Sequence, residues 1–355
     1  MAQPSELYVD PSIAGDSGAG TSGDPYGDLE YCIEQETFNT TNGTRVNIKA
    51  GTDEILAAQI ETALLDTSVS IAWAATLAAP MIFQGYTTTA GDGGKGGITG
   101  SGARSILNAG GRDYVHFIDM HLHNTGGNIP INLDNDCSMV RCEVDNTTSD
   151  GVLLGLNATA IGNHVHNCSG IGMRYQTGYA AFNYFENGTN DFTNALQLLP
   201  SVGGFDAYAY RNIIKIDGTS DGILIAGPGV VLLNNAVWSN AGTGQGITVN
   251  AANLYAHAIM NNTVEGFSGT GGIGYDLATQ SGFSVRVYAG NAAYDNETEY
   301  GAPSDYYLDY WKSVATTNET LSASPFADAT NGDFSPVDTG SVKQGSLPQD
   351  FGDGQ

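Results

Sequence analysis

An asparagine recurs at intervals of 20 to 29 residues through the middle of the chain. It stands in short segments of the form apolar–x–Asn–x–apolar, and an apolar residue usually follows two positions later. The aligned positions are Met120, Cys142, Asn163, Asn183, Asn212, Asn235, Asn262 and Asn291. A repeat of this length is typical of solenoids, in which each coil contacts only its neighbours and buries its apolar face by stacking.

Each repeat carries three short apolar segments separated by turns. A small or polar residue followed by an apolar one recurs after the asparagine, as in Gly222-Ile223 and Gly246-Ile247, and a third apolar run such as Val230 to Leu233 precedes the next asparagine. Three strands per coil, with inward and outward side chains alternating, predict a parallel β-helix. We expect the asparagines to stack and to take left-handed bends, and the glycines before isoleucine to form another sharp corner.

The coils resemble the parallel β-helix repeats of the pectate-lyase-like superfamily over residues 44–296. The segments Tyr8 to Pro11 and Val46 to Thr52, and later Ser324 to Asp328 and Asn331 to Phe334, are similar to the ends of bacterial and phage β-helix proteins. The resemblance implies an all-β, right-handed parallel β-helix. That superfamily contains lyases, hydrolases, adhesins and virion spikes, so the resemblance is specific for the fold and leaves the function open.

The sequence predicts a cap at each end. Residues 1–43 form the N-terminal cap, in which Asp28 to Phe38 reads as a short amphipathic capping helix. Residues 44–296 form the β-helix, with a glycine-rich loop at 91–102. Residues 297–355 form an irregular C-terminal cap and tail. Its aromatic residues are Tyr306, Tyr307, Tyr310 and Trp311.

The charge of the chain limits its partners. With 38 acidic and 12 basic residues, its formal net charge is −26, which disfavours nucleic acid and anionic membranes, and we expect no membrane insertion. The N-terminal residues lack the basic start and apolar core of a signal peptide. We therefore expect a protein made in the cytoplasm without a signal peptide and acting in a virion or outside the cell. The cysteines show no metal or disulfide-framework spacing and are expected to be buried free thiols: Cys32, Cys137, Cys142 and Cys168.

Two aspartates invite comparison with glycoside hydrolases. Asp150 and Asp221 precede a glycine at the same coil position, three coils apart. At a strand spacing of about 4.8 Å per coil they would lie about 14 Å apart. Glycosidase carboxylates are separated by about 5 Å or about 6.5–9.5 Å, so we interpret both aspartates as turn residues.

The strand after the glycine would form the wall of a binding groove in polysaccharide-cleaving relatives. Its outward positions carry a single base and scattered acids, and an isolated arginine at such a position is more often a surface residue than a catalytic base. The candidate carbohydrate-binding residues are Arg174, Asn132, Gln197 and Asn250.

The densest polar cluster lies on the strand after the asparagine. The outward pairs there are His121/His123, Glu143/Asp145, His164/His166 and Tyr184/Glu186. Stacked coils would bring these side chains into one patch. The candidate catalytic residues are His164, His166, Glu143, Asp145 and Glu186, and the candidate metal ligands are His121, His123 and His164, for Zn²⁺ or Ca²⁺. The alternative is cross-strand charge pairing without a metal or a reaction.

Two functions follow as hypotheses. The first is a non-catalytic structural or adhesion protein, such as a phage tail spike, fibre or capsid decoration protein. It would present a rigid surface to a polysaccharide or to other virion proteins, and it could self-associate as a homotrimer. The second is a polysaccharide lyase or hydrolase acting on an anionic glycan. The absence of a recognisable catalytic constellation in the sequence favours the first.

Overall fold

The structure, a computed structural model, describes residues 3–13, 15, 17–51, 54–56, 75–100, 107–108, 113–124, 131–145, 149–200, 206–250, 257–277, 285–301 and 319–337. Two compact units make up the chain, residues 1–164 and 165–355.

The strands of the first unit pair in parallel within three sheets. Sheet A contains β1 (Ser5–Val9), β2 (Thr44–Lys49), β4 (Met81–Tyr86), β7 (Val115–Ile118), β10 (Ser138–Val140) and β13 (Ala158–Ile161). Sheet B contains β3 (Glu54–Leu56), β5 (Gly96–Gly100), β8 (Met120–Asn124) and β11 (Glu143–Asp145). Sheet C contains β6 (Leu107–Asn108), β9 (Ile131–Leu133) and β12 (Val152–Leu154). β14 (His164–His166) contains the boundary between the units.

The second unit is built in the same way. Sheet A′ contains β16 (Gly178–Ala181), β19 (Ala207–Tyr210), β22 (Val230–Leu233), β25 (His257–Met260) and β28 (Val285–Ala289). Sheet B′ contains β17 (Tyr184–Glu186), β20 (Ile213–Asp217), β23 (Ala236–Asn240), β26 (Thr263–Glu265), β29 (Ala292–Tyr294) and β31 (Glu319–Thr320). Sheet C′ contains β15 (Ile171–Tyr175), β18 (Asn194–Leu198), β21 (Asp221–Ile225), β24 (Gln245–Val249), β27 (Ile273–Asp276) and β30 (Thr298–Tyr300).

The predicted right-handed parallel β-helix is confirmed. Successive coils place equivalent strands side by side in register, as with Phe185 beside Ile214 and Ile214 beside Val237. These inward side chains are fully buried, while their neighbours on the same strands face outward. One coil cannot bury such a face alone, so the core exists only because the coils stack.

The asparagines of the second unit form a continuous buried ladder. The backbone N–H and Nδ2 of Asn183 donate to Oδ1 of Asn212 at 3.1 and 2.9 Å. The same pair of bonds joins Asn212 to Asn235, Asn235 to Asn262, and Asn262 to Asn291. All five side chains are at most 1% exposed. In the first unit Asn163 lies in the same environment, since its Oδ1 accepts from the backbone N–H of Cys142.

The expected left-handed asparagine bend is displaced by one residue. The positive φ angle belongs to the residue before the ladder position, such as Phe182 (58°), Arg211 (52°) and Asn234 (57°). Among the residues that the structure describes, no asparagine of the ladder has a positive φ. The ladder asparagine must point inward to reach the next coil, so the preceding residue makes the bend.

The glycines before isoleucine also have a different reason from the predicted one. Gly222 and Gly246 are strand residues and do not take a positive φ. A Cβ on Gly222 would lie 2.5 Å from Cγ1 of Val237, and a Cβ on Gly246 would lie 2.6 Å from the carbonyl oxygen of Gly274. Glycine is therefore required there for space against the core.

The N-terminal amphipathic helix is present as α1 (Leu29–Gln35). Asp28 is its N-cap, since its Oδ1 accepts from the backbone N–H of Tyr31 at 2.7 Å. Leu29, Cys32 and Ile33 are buried, as predicted. The capping role of this helix stays a prediction. The loop predicted at 91–102 is wrong over Gly96–Gly100, which forms β5 and pairs with β8.

The C-terminal residues described form an antiparallel hairpin. It consists of β32 (Phe326–Asp328), a 3-10 turn (Ala329–Asn331) and β33 (Asp333–Pro336). Phe326 and Phe334 pack against Trp238 on the outer side of sheet B′. Nearby, Ser324 Oγ donates to Oε2 of Glu265 at 2.8 Å. The predicted aromatic cap lies outside the described residues, and the domain boundaries stay predictions.

The four cysteines are buried free thiols, as expected. Burial raises the pKa of Cys32 and of Cys142 to about 12 and that of Cys137 to about 11. A thiol with so high a pKa is an apolar core residue, because only the thiolate is a strong nucleophile or metal ligand.

Candidate functional site

The histidine cluster predicted on sheet B forms in the first unit. β8 and β11 pair so that Glu143 stands beside His121 and Asp145 beside His123. Leu122 and Val144, between these pairs, are fully buried. The period of two along a strand therefore turns all four polar side chains to the outer face.

Asp145 connects the two imidazoles. Its Oδ1 lies 3.2 Å from Nε2 of His121 and 2.7 Å from Nδ1 of His123. The side chains of His121, His123 and Asp145 are 28, 21 and 18% exposed. Burial raises the pKa of Asp145, but the two imidazoles outweigh it and bring the pKa below its ordinary value. We call these three residues the His–Asp cluster.

The other acids of this face are engaged by bases. Glu143 Oε2 forms a salt bridge with Nζ of Lys95 at 2.8 Å, and a ligand atom of its carboxylate lies within 4.8 Å of one on His164. In the second unit Glu186 forms a salt bridge with Lys215 at 2.8 Å, and Nδ1 of His166 lies 3.0 Å from Nδ2 of Asn167. In the structure Asp145 lies beside both His121 and His123. The sequence had predicted His164 as the third metal ligand with these two histidines.

The predicted groove wall is the outer face of sheet C′. Arg174 stands beside Gln197, and its Nε donates to Gln197 Oε1 at 2.7 Å. The row continues through Leu224 and Thr248 to Asp276, each beside the next. Asn250 is exposed just after β24. Asn132, in the first unit, stands beside Leu153 on sheet C.

Asp221, on sheet C′, is an acid whose pKa is raised by its surroundings. Its Oδ1 accepts from the backbone N–H of Gln245 at 2.8 Å, and its Oδ2 accepts from Nδ2 of Asn194 at 3.2 Å. Burial raises the pKa of Asp221 despite these donors, and the carboxylate of Asp276 raises it further. From the sequence, Asp221 was paired only with Asp150, which lies in the first unit. Asp276 could be recognised as an outward residue of the same sheet. Its effect on the pKa of Asp221 could not be predicted, because it depends on the direction of the side chains.

An aromatic surface on sheet A′ was missed by the sequence reasoning. Tyr179 stacks on Tyr208 with ring centroids 4.9 Å apart and an angle of 14° between the planes, and Tyr179 is 56% exposed. Phe182 meets Tyr210 edge to face at 5.5 Å. Arg211 lies over the ring of Tyr210 at 5.0 Å. Tyrosines at alternate positions of β19 were the available signal, since such residues share a face.

None of the helices in the described part of the chain has the length and apolar character needed to cross a lipid bilayer.

No protein-family model and no curated protein sequence matches the chain. Solved structures do. The crystal structure of pectate lyase Pel9A matches with a TM-score of 0.50 at 11% identity, over 98% of this chain and 89% of that one. A mannuronic-acid-specific polysaccharide family 6 lyase from the human gut microbiota matches with a TM-score of 0.43 at 13% identity, over 86 and 88%. The Dettilon tailspike protein matches with a TM-score of 0.35 at 14% identity, over 88 and 70%. At these identities the likeness to Pel9A establishes the fold alone.

Proposed function

We propose that this chain is a non-catalytic adhesion protein that binds glycans on the outer faces of its second unit. The stacked pair of Tyr179 and Tyr208 carries the proposal. The core does not need Tyr179, because more than half of its surface is exposed. A flat aromatic face held on a sheet offers an apolar platform to the C–H face of a sugar ring.

Polar groups on the adjoining sheet complement the platform. Only Gln176 and Thr177 separate β15, which carries Arg174, from β16, which carries Tyr179. The guanidinium of Arg174 is oriented by Gln197 at 2.7 Å, and arginine offers five donors in a fixed geometry. Arg174 would bind hydroxyl or carboxylate groups elsewhere on the polysaccharide that Tyr179 supports.

The buried asparagine ladder supports an adhesive role. Its bonds tie Asn183 through Asn291 together from coil to coil, so outward residues are held at fixed spacing. A rigid array suits a tail spike, fibre or capsid decoration protein. We propose that the chain acts in a virion or at a surface outside the cell, bound to other particle proteins or to copies of itself as a homotrimer.

The binding test uses the full chain and a panel of polysaccharides. The panel contains pectate, alginate and bacterial capsule, and binding is measured by calorimetry. We expect Tyr179→Ala and Arg174→Gln each to weaken binding of the preferred glycan by roughly tenfold or more. Leu77→Ala is the matched control, because Leu77 is a 72% exposed apolar residue of the first unit. Equal binding by wild type, Y179A and R174Q would contradict the proposed surface.

The location and assembly are tested separately. Mass spectrometry of purified particles and of culture medium would detect the chain with virions, and light scattering would measure its oligomeric state. A monodisperse monomer found apart from particles would contradict the virion role without affecting glycan binding.

A hydrolase is the second candidate, and Asp221 is the observation that favours it. A carboxyl group whose pKa is raised by burial is suited to general acid catalysis, and a second carboxylate, Asp276, influences it. Reducing ends released from the same panel would reveal hydrolysis, and absorbance of unsaturated products would reveal a lyase. Turnover that Asp221→Asn abolishes would establish catalysis in place of simple adhesion.

A further inference from the structure

We infer that His121, His123 and Asp145 form a binding site for a divalent transition-metal ion of the Zn²⁺ class. The site follows from the register of two strands: β8 supplies His121 and His123 from alternate positions, and β11 places Asp145 beside His123. No step of the proposed glycan binding uses these residues.

The separations of the ligand atoms suit one ion. Zinc bonds to histidine nitrogen and carboxylate oxygen are about 2.0–2.2 Å long, so tetrahedral ligands lie about 3.4 Å apart. Asp145 Oδ1 is 3.2 Å from Nε2 of His121 and 2.7 Å from Nδ1 of His123. All the ligand atoms of the cluster lie within 4.8 Å of one another. Small side-chain rotations would therefore admit the ion.

The types of donor select the ion. Two imidazoles with one carboxylate suit zinc and its first-row neighbours. Calcium takes six to eight oxygen ligands, and the cluster offers two nitrogens. Zn²⁺ is therefore the better of the two ions considered from the sequence.

The exposure of the cluster defines the kind of site. Side chains that are 18 to 28% exposed are fixed by the sheet yet open to solvent on one side. Three protein ligands leave at least one coordination position for water or for an external carboxylate or hydroxyl group. The geometry is that of an accessible zinc site with an open position.

The neighbouring charges leave Asp145 available to the ion. Lys95 is held by Glu143 at 2.8 Å, while the contacts of Asp145 at hydrogen-bond distance are made with the two imidazoles. The hydrogen atoms in those contacts stand where a metal ion would bind. Metal binding therefore releases these protons, while the side chains keep nearly the same positions.

The test is a titration of the full chain after removal of metals with a chelator. Zn²⁺ is added at neutral pH and followed by calorimetry, and Co²⁺ is added separately because its visible absorption reports the coordination geometry. We expect a saturable site whose dissociation constant rises at least roughly tenfold in His121→Gln, His123→Gln and Asp145→Asn. Urea unfolding of each variant identifies any loss that arises from misfolding.

His116→Gln is the matched control. His116 lies on sheet A of the same unit, where its Nδ1 is 2.8 Å from Ser138 Oγ, and this variant is expected to bind Zn²⁺ as the wild type does. His164→Gln tests the ligand set inferred from the sequence. Absence of saturable binding, binding that survives all three cluster variants, or binding lost only in H164Q would overturn the assignment. These outcomes are independent of glycan binding, which is measured with different variants.

Discussion

Asn212 and Asn235 share two hydrogen bonds through a single oxygen. The backbone N–H of Asn212 donates to Oδ1 of Asn235 at 3.0 Å, and its Nδ2 donates to the same oxygen at 2.9 Å. Nδ2 of Asn235 in turn donates to the carbonyl oxygen of Ala209 and to Oδ1 of Asn262. One carboxamide therefore satisfies buried groups in the coil before its own and in the coil after it.

Asn235→Ala is expected to destabilise the second unit by about 3 kcal/mol or more. The change leaves two buried donors of Asn212 without their acceptor, and each buried polar group left unpaired costs about 1–3 kcal/mol. Urea unfolding measures the loss, and amide exchange should show it concentrated around residues 207–265. Asn240→Ala is the control, because Asn240 is an exposed residue at the end of β23. Similar stability of both variants would show that the ladder is energetically unimportant.

Substitution of two glycines by alanine separates the free-energy cost of a steric clash from the cost of an unfavourable backbone conformation. Gly246→Ala places a Cβ 2.6 Å from the Gly274 carbonyl oxygen, and we expect a loss of about 2–4 kcal/mol from overpacking. Gly271 has a φ of 91° with open space around its Cβ position, so Gly271→Ala should cost about 1 kcal/mol. Thermal unfolding of the two variants gives the comparison. The reverse order would mean that the core near β24 yields easily.

Ala241→Gly should stabilise the protein, against the usual effect of glycine. Ala241 is exposed and has a φ of 56°, a conformation that costs an L-residue about 1–2 kcal/mol. Glycine removes that strain, although greater freedom of the unfolded chain offsets about 0.4–1 kcal/mol. Ala323→Gly, at an exposed site without a positive φ, should destabilise slightly. A lower melting temperature for A241G than for the wild type would contradict the strain.

The contribution of Glu265 to the stability of the protein should fall as the pH rises from about 4.5 to 8. Burial and the charge of Asp295 raise the pKa of Glu265 to about 7, although Ser324 donates to it. Its ordinary value is about 4.3, so in this window the folded protein holds a proton that the unfolded chain has released. The part of the free energy of unfolding that Glu265 contributes therefore decreases as that proton is lost.

Glu265→Gln should flatten this dependence and gain about 2 kcal/mol at pH 8. Glutamine keeps an acceptor for Ser324 and carries no charge. Unfolding is followed by fluorescence, in which Trp238 reports the packing of the C-terminal hairpin. Glu34→Gln changes an exposed carboxyl group and should leave the pH profile as it is. A variant profile parallel to that of the wild type would exclude Glu265 as the cause.

The period of the sequence was enough to predict the fold, because a residue such as Asn212 has to meet its equivalent in every coil. It did not predict which residue takes the left-handed bend, since Phe182 and Arg211 have no intrinsic preference for that conformation. The period also placed His121 beside Glu143 correctly. It could not show that Asp145 would turn to both imidazoles, because that choice depends on side-chain torsions.

Contacts between distant segments were beyond the pattern. Phe334 packs on Trp238, and neither residue recurs at an equivalent position in the other coils. The stacking of Tyr179 on Tyr208 requires the register across a 29-residue coil, in which the turn length varies. Such contacts depend on side-chain packing, whereas the coil itself can be predicted from the period of the sequence.

The asparagine ladder also has no inherent length. Every asparagine offers one acceptor oxygen to the preceding coil and receives two N–H groups from it, so each junction resembles every other. A second copy of residues 213–235 inserted after Asn235 would find matching partners above and below. The length of such a protein can therefore change by whole coils through duplication of one repeat, and the duplicated coil needs no new kind of core packing.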